Sequence, residues 1–405
     1  MLEGLRAAAP MFFEAYTDAS KIYRTFWSTG TCLDDKKVTS KFTIADPMFG
    51  YLRGGLLLHY GQSPLSGFHL APAYTPMTNT SPLASKTAEK LWPKGSKALH
   101  TAFEQFNAWC CALRKRAGSL TVRFANADAL AFCHTLQHLQ ACGQVDDAFW
   151  YRNPWSFERF ILSKTDYSTS GSAPASFNII DTSNLMDHLG SLNVLAAAAS
   201  LLERCSTSTL RTETMLPREA TVADSAEKLL CGNLPTVALL LGLRPIQYWT
   251  NATATWHLNE ALLQGMPDDA QILTMMSRPI ILWKSADLSC VHYDTTELAR
   301  FLHGIYLEMH ADESFTAKFS MLGLMKNDSL RKKLTAYDLY TRGSLTALLQ
   351  CIKKSNTVDW PRLARELVAS LILNDQNLDM GPHHFQSLCA QLDIFHLIQL
   401  DQMFD

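Results

Sequence analysis

Nowhere in the 405 residues is there a G-x-G-x-x-G or a G-x-x-x-x-G-K-[ST] loop. Either would let backbone N–H groups cradle phosphate, so the two commonest nucleotide sites lose their signature. C-x-x-C is missing as well: the ten cysteines are scattered, and the one close pair, Cys110-Cys111, is adjacent. Zinc ribbons and thioredoxin-like redox sites are thereby disfavoured, and free thiols in a reducing compartment are the simplest reading. A G-x-S-x-G nucleophile elbow is absent too. No stretch reaches the ~20 continuous apolar residues of a membrane helix; the longest candidate, Leu192 to Leu202, is short and flanked by polar residues. The opening MLEGLRAAAPMFFEAYTD carries Glu3 and Arg6 among its apolar residues, which argues against an export signal. Charge of one sign is also lacking. Thirty-six basic residues face thirty-eight acidic ones, a net charge of −2. Such a balance produces no long-range field for nucleic acid, and clusters such as Arg114 to Arg116 and Arg331 to Lys333 read as solvated faces or helix ends. The expectation is a cytoplasmic protein, with the nucleus as a second compartment, that binds neither membrane nor nucleic acid.

What is present is 47% apolar residues against 18% charged, in a chain long enough for two or three domains. The most informative stretch is Phe177 to Leu216, FNIIDTSNLMDHLGSLNVLAAAASLLERCSTSTLRTETML. It spells a buried strand, an acidic turn, an amphipathic helix and a second strand. Leu120 to Ala125 (LTVRFA), followed by Asn126-Ala127-Asp128 and a helix over Ala129 to Ala141, repeats that grammar. Two such units predict parallel strands in one sheet joined by right-handed crossovers. Thr209 to Glu213 and Arg278 to Trp283 read as further strands, and Ala226 to Leu243 as two short helices broken at Gly232 to Pro235.

The flanks read differently. Leu2 to Tyr23 has helical spacing that Thr29-Gly30 would end, and residues 46 to 83, rich in proline, glycine and aromatics, suit a long ordered loop. Ala84 to Ala117 predicts a helix with Leu91, Leu99, Phe103, Phe106 and Trp109 on its apolar face. Helical periodicity returns at Leu298 to His310, Ser344 to Lys353, Trp360 to Leu373 and Phe385 to Leu400. Three regions follow: 1–116, N-terminal helices and the aromatic loop; 117–285, the α/β sheet core; and 286–405, a helical C-terminal region. There is no repeat of solenoid length.

Ligands of open α/β sheets bind at the carboxyl ends of the strands. Asp128, Asp181 and Glu213 each fall at such an end, so their carboxylates would share a crevice if the strands are neighbours. The competing reading, and the favoured one, is that Asp128 and Asp181 cap the helices that follow them. Asp181, Ser183, Asn184, Asp187 and His188 complete the candidate ligand- or cofactor-binding set with Asp128. His188 could titrate near neutral pH, but with no activated nucleophile beside it a structural hydrogen bond is the better expectation. His134 and His138 share a helix face as in H-E-x-x-H, yet Thr135 stands where the glutamate would, and no metal site is assigned. Phe149 to Phe160 (FWYRNPWSFERF) reads as core or an inter-domain contact more readily than as a stacking surface.

The segments HYGQSPLSGFHLA (59–71), VRFANADALAFCHTLQ (122–137), FNIIDTSNLMDHLGSLNVL (177–195), LCGNLPTVALLLGL (230–243) and YWTNAT (248–253) resemble large fungal proteins that end in a MYND-type zinc finger. Those proteins carry a domain of unknown function shared with axonemal dynein assembly factors. YTRGSLTALLQCIKK and FQSLCAQLDI extend the resemblance toward the end of the chain. It implies a methyltransferase-like, Rossmann-like sheet in which Asp128 follows the third strand and Asp181 the fourth, positions that contact adenine and the reacting end of the substrate in active enzymes. The chain departs from the pattern by lacking the initial glycine-rich acidic turn and the zinc finger, as a short form or a truncated gene model would. The resemblance therefore implies a degenerate fold, an interaction or scaffold role with a protein partner, and no cofactor. An S-adenosylmethionine-dependent methyltransferase completed by a missing segment or a partner is the alternative.

Overall fold

The computed structural model describes residues 15, 17–26, 28–33, 40, 64–65, 67–70, 73, 96–145, 160–168, 170–214, 222–246, 280–286, 291–313, 339–375 and 382–399. Most of the 46–83 loop, the aromatic run up to residue 159 and the turn after Pro245 from residue 247 lie outside them. The chain forms two compact units, Met1–Phe124 with Ala261–Met266, and Ala125–Glu260 with Pro267–Asp405.

In the first unit, residues 17–26 and 28–29 are helical, and Gly30 ends the run at φ 75° with its N–H on the Phe26 carbonyl at 2.8 Å. Glycine alone takes that left-handed backbone without strain. Helix α1, Lys97–Arg116, starts where Ser96 accepts from the Leu99 N–H, and it ends on Arg114, Lys115 and Arg116, whose charge suits the negative helix end. The Asp18 carboxylate meets its first turn at the Ala98 N–H, 3.0 Å away. The expected apolar face of α1 is not the buried one: Phe103, Phe106 and Trp109 are 37%, 52% and 50% exposed, whereas Ala98, Ala102 and Gln105 are buried. Gln105 goes inside because its amide satisfies a neighbouring segment, donating to the His69 carbonyl at 2.6 Å and accepting from the His69 N–H at 2.9 Å.

The second unit is mixed α/β, with a small four-stranded mixed sheet set among helices. Its elements begin with α2 (Ala129–Cys142), α3 (Lys164–Tyr167), β1 (Ile179–Asp181), α4 (Leu185–Leu189), α5 (Ser191–Ala199) and β2 (Thr209–Glu213). There follow α6 (Val222–Leu229), α7 (Leu234–Leu240), β3 (Leu243–Pro245), β4 (Ile280–Ser285), α8 (Thr295–Met309), α9 (Arg342–Ser355), α10 (Trp360–Arg365), a π-helical turn at Glu366–Ile372 and α11 (Pro382–Ile394). The strand order is β1-β2-β4-β3. β1 and β2 are parallel, pairing Ile179 with Thr209 and Asp181 with Arg211, while β4 runs antiparallel to both β2 and β3.

The sheet is mixed, because β4 returns between β2 and β3. One expectation is corrected here. LTVRFA is not a strand: residues 120–126 pair with no described strand, and Leu120, Val122 and Phe124 are 53%, 61% and 95% exposed. Alternating β-branched and aromatic residues favour extended backbone, but a strand exists only through its ladder and an apolar face to cover. No internal β-α-β repeat is therefore realised.

The crossover helix α5 is buried from Ser191 to Ala198, which explains its all-round apolar sequence. Trp283 on β4 is 0% exposed, with its Nε1–H donating to Thr212 Oγ1 at 2.9 Å. One hydrophobic cluster runs from Leu130 through the sheet and α5 to Leu302, Leu348, Leu363, Leu388 and Ile398. The helices after residue 286 thus share a core with the sheet. Gly190, between α4 and α5, has φ 86°, and a Cβ there would lie 2.8 Å from Tyr340 Cε1. The Tyr340 hydroxyl accepts from the Leu192 N–H and donates to the Leu229 carbonyl, both at 3.3 Å, and Asn193 Nδ2 donates to the Leu189 and Leu339 carbonyls. This cluster fixes the entry of α5 onto the sheet. No described helix is long and apolar enough to cross a membrane.

Candidate functional site

The parallel pair places the carboxyl ends of β1 and β2 side by side, with Asp181 opposite Arg211. Along TLRTE, Leu210 and Thr212 turn inward, while Arg211 and Glu213, two residues apart, share the other face. The Arg211 guanidinium therefore lies between two carboxylates. Nη1 contacts Asp181 Oδ1 and Oδ2 at 3.0 and 3.1 Å, and Nη2 meets Glu213 Oε2 at 2.7 Å. Partial burial works against its charge, but the hydrogen bond to Glu213 and the two carboxylates raise the Arg211 pKa above its ordinary value.

Asp181 also accepts from the Ser183 N–H at 2.8 Å, closing a tight turn in which Ser183 has φ 47°. The turn continues the ladder, since the Thr182 N–H donates to the Arg211 carbonyl at 3.0 Å and the Glu213 N–H to the Ser183 carbonyl at 2.9 Å. Asn184 precedes α4, and its Nδ2 lies 3.0 Å from His188 Nε2. Asp187 occupies the first turn of this short helix, half-buried, and His188 its exposed last turn. The strand end and short helix thus gather Asp181, Ser183, Asn184, Asp187 and His188. The fold engages Asp181 twice over, by Arg211 and by the turn it closes.

Asp128 is not at a strand end, because no strand precedes it. Its Oδ1 accepts from the Leu130 and Ala131 N–H groups at 2.9 and 3.0 Å, capping α2. The shared crevice of three carboxylates is thereby reduced to Asp181 and Glu213 around one guanidinium. Arg211 is the residue that reading the sequence missed; the available signal was R-x-E in a strand, which puts opposite charges on one face next to the acidic turn.

The two α2 histidines diverge. His134 is buried with Nδ1 3.2 Å from Gln137 Oε1, and Gln137 ties α2 to the carbonyls of Ala196 and Ala197. Burial pushes its pKa down to about 4. His138 is on the surface beside Cys142 and Gln144. No group of three His, Cys, Asp or Glu side chains suited to a metal ion occurs among the described residues. The nine described cysteines are all free. One was passed over in the sequence: the exposed Cys205 thiol, bonded to the Ser208 and Thr207 hydroxyls at 2.8 and 3.1 Å, has its pKa lowered to about 7 by those hydrogen bonds. Comparisons with protein-family models, with curated proteins and with solved structures give no match.

Proposed function

We propose that this chain is a non-catalytic interaction or scaffold protein on a degenerate methyltransferase-like fold, acting in the cytoplasm through a protein partner. The observation that carries this reading is Arg211. At the strand ends where a ligand would sit, it holds Asp181 and Glu213 together, so the polar groups there serve the turn and the sheet. Asp128, the other acidic residue that the resemblance assigns to a cofactor, is spent on capping α2. Isothermal titration of S-adenosylmethionine into the full chain tests the reading. No binding up to about millimolar ligand is expected; micromolar binding that Asp181→Asn abolishes overturns it.

A second reading, a methyltransferase completed by an added segment or a partner, is supported by the edge of the sheet, where β1 pairs with β2 alone among the described strands. The position beside β1 is then where the earlier strands would lie, and Ile179 on β1 is 74% exposed. This reading expects that a chain extended at its start by a strand and a glycine-rich acidic turn binds S-adenosylmethionine while residues 1–405 do not. Equal failure of both chains removes it.

A further inference from the structure

The two halves of α1 differ in what they bury. Up to residue 105 the helix buries Ala98, Ala102 and Gln105, whereas from Phe106 to Arg116 every residue except the half-buried Cys110 is exposed. Phe106, Trp109 and Leu113 are 52%, 50% and 55% exposed. At 3.6 residues per turn the three fall within about 60° of one another around the helix. Trp109 stacks on the Phe68 ring at 5.1 Å and still leaves half of itself in water. Single apolar side chains on a surface need no explanation, but a contiguous stripe of large ones marks an interaction face. Spacing of i, i+3 and i+7 is that of a helix laying its anchors into an apolar groove.

Charge narrows the choice of groove. α1 carries Lys97, Arg114, Lys115 and Arg116 against one carboxylate, Glu104. The stripe runs directly into the three consecutive cations, so a groove that takes it needs acidic side chains on its rim. A basic amphipathic helix also suits an anionic membrane, but there the cations are spread along the polar face, and here they are gathered at one end. Exposure of residues on every side of the helix from 106 onward leaves room for a partner that encloses it. A calcium-loaded EF-hand sensor has these properties: its opened helix pairs expose a methionine-rich groove, and its calcium loops supply carboxylates. We propose that residues 106–116 dock in the acidic, methionine-rich groove of a calcium-loaded EF-hand protein, with Phe106, Trp109 and Leu113 as anchors and Arg114 to Arg116 on its rim. This partner rests on the interaction role proposed above.

The test titrates calcium-loaded calmodulin into the full chain. A Kd of about 1 μM or tighter is expected, with binding lost when calcium is chelated. Leu113→Glu should weaken binding by about tenfold or more, and Arg116→Glu by about threefold at low salt, less as salt rises. Both positions are exposed, so near-ultraviolet circular dichroism should be unchanged in the variants. On the unaltered chain, calmodulin should slow hydrogen exchange of the 106–116 amides. Absence of calcium-dependent binding, or binding that leaves 106–116 unprotected, overturns the proposal. So does binding of 106–116 to mixed phosphatidylserine and phosphatidylcholine vesicles with none to calmodulin. The S-adenosylmethionine titration tests the interaction role separately, so failure to bind either probe removes this partner alone.

Discussion

At the scale of single residues, the strand-end site is governed by how deeply each charge is buried. The Glu213 side chain is 8% exposed and meets the Arg211 guanidinium, whereas Asp181 is 51% exposed and reaches water. Removing the guanidinium therefore takes a charged partner from a buried carboxylate, while neutralising Asp181 does little, since an amide oxygen still accepts from the Ser183 N–H. We expect Arg211→Met to destabilise the chain by about 2 kcal/mol and Asp181→Asn by less than about 1 kcal/mol, measured by urea unfolding. Equal effects would show that the Asp181 pair carries the turn. The sequence made the acidic residues legible and left Arg211 unnoticed, because its importance comes from register: only pairing β1 with β2 brings position 211 opposite position 181.

At the scale of elements, the helices were easier to read than the strands. Helical periodicity and caps are local: Asp294 before α8, Asp359 before α10 and Asn233 before α7 each accept from an N–H three residues on. Strands depend on distant partners. LTVRFA and TLRTE carry similar β-forming residues, yet only the second finds neighbours, β1 on one side and β4 on the other. The short β3 rests on the same return of β4, and its three residues carry no signal strong enough to announce it. The junction of α4 and α5 shows the opposite limit, where one glycine is required. Gly190→Ala adds a Cβ against the Tyr340 ring at a positive φ. A loss of about 2–4 kcal/mol in unfolding free energy is expected, and Tyr340→Leu in the same background should recover part of it by opening space. Additive losses in the double variant would contradict this.

At the scale of the whole molecule, stability should depend on pH through two groups. Buried His134 titrates at about 4 when folded, against about 6.5 in the unfolded chain, so unfolded molecules bind the extra proton between those values. Stability then falls as pH drops from 6.5 to 4, by on the order of 3 kcal/mol at most, and His134→Gln should flatten that limb of a pH series of urea melts. Below it, Glu313 takes over. Partial burial opposes its charge, but hydrogen bonds from His310 and Arg342 hold its pKa at about 2, and Arg342 in turn stacks over the buried Tyr306 ring at 5.3 Å. That contribution is present above the ordinary carboxylate range and is lost as pH falls from 4.5 towards 2. Hydrogen exchange should also sort the strand-like segments. Amides of β2 and β4 are expected to exchange with the slowest in the molecule, and those of 120–126 to exchange rapidly; protection of 120–126 would mean that it has found a ladder.

The sequence by itself determined the helical stretches, the strands at 179–181 and 209–213, the break between α6 and α7, and the lack of any phosphate-cradling loop, because each of these follows from local spacing and residue type; it misjudged Asp181, which closes a turn instead of capping the next helix, and the burial of β1, where Ile179 is 74% exposed. It also contained the choice between capping and chemistry for Asp128, which the Leu130 and Ala131 N–H groups resolve as capping. Only the tertiary structure decided that β4 returns antiparallel, that LTVRFA stays without a ladder, that Arg211 binds both strand-end carboxylates, and that α1 buries Ala98 and Ala102 while Phe103 and Phe106 stay exposed. The physical reason is the same in each case: pairing and burial join residues far apart in the chain, and local preference sets which conformations are available without choosing their partners.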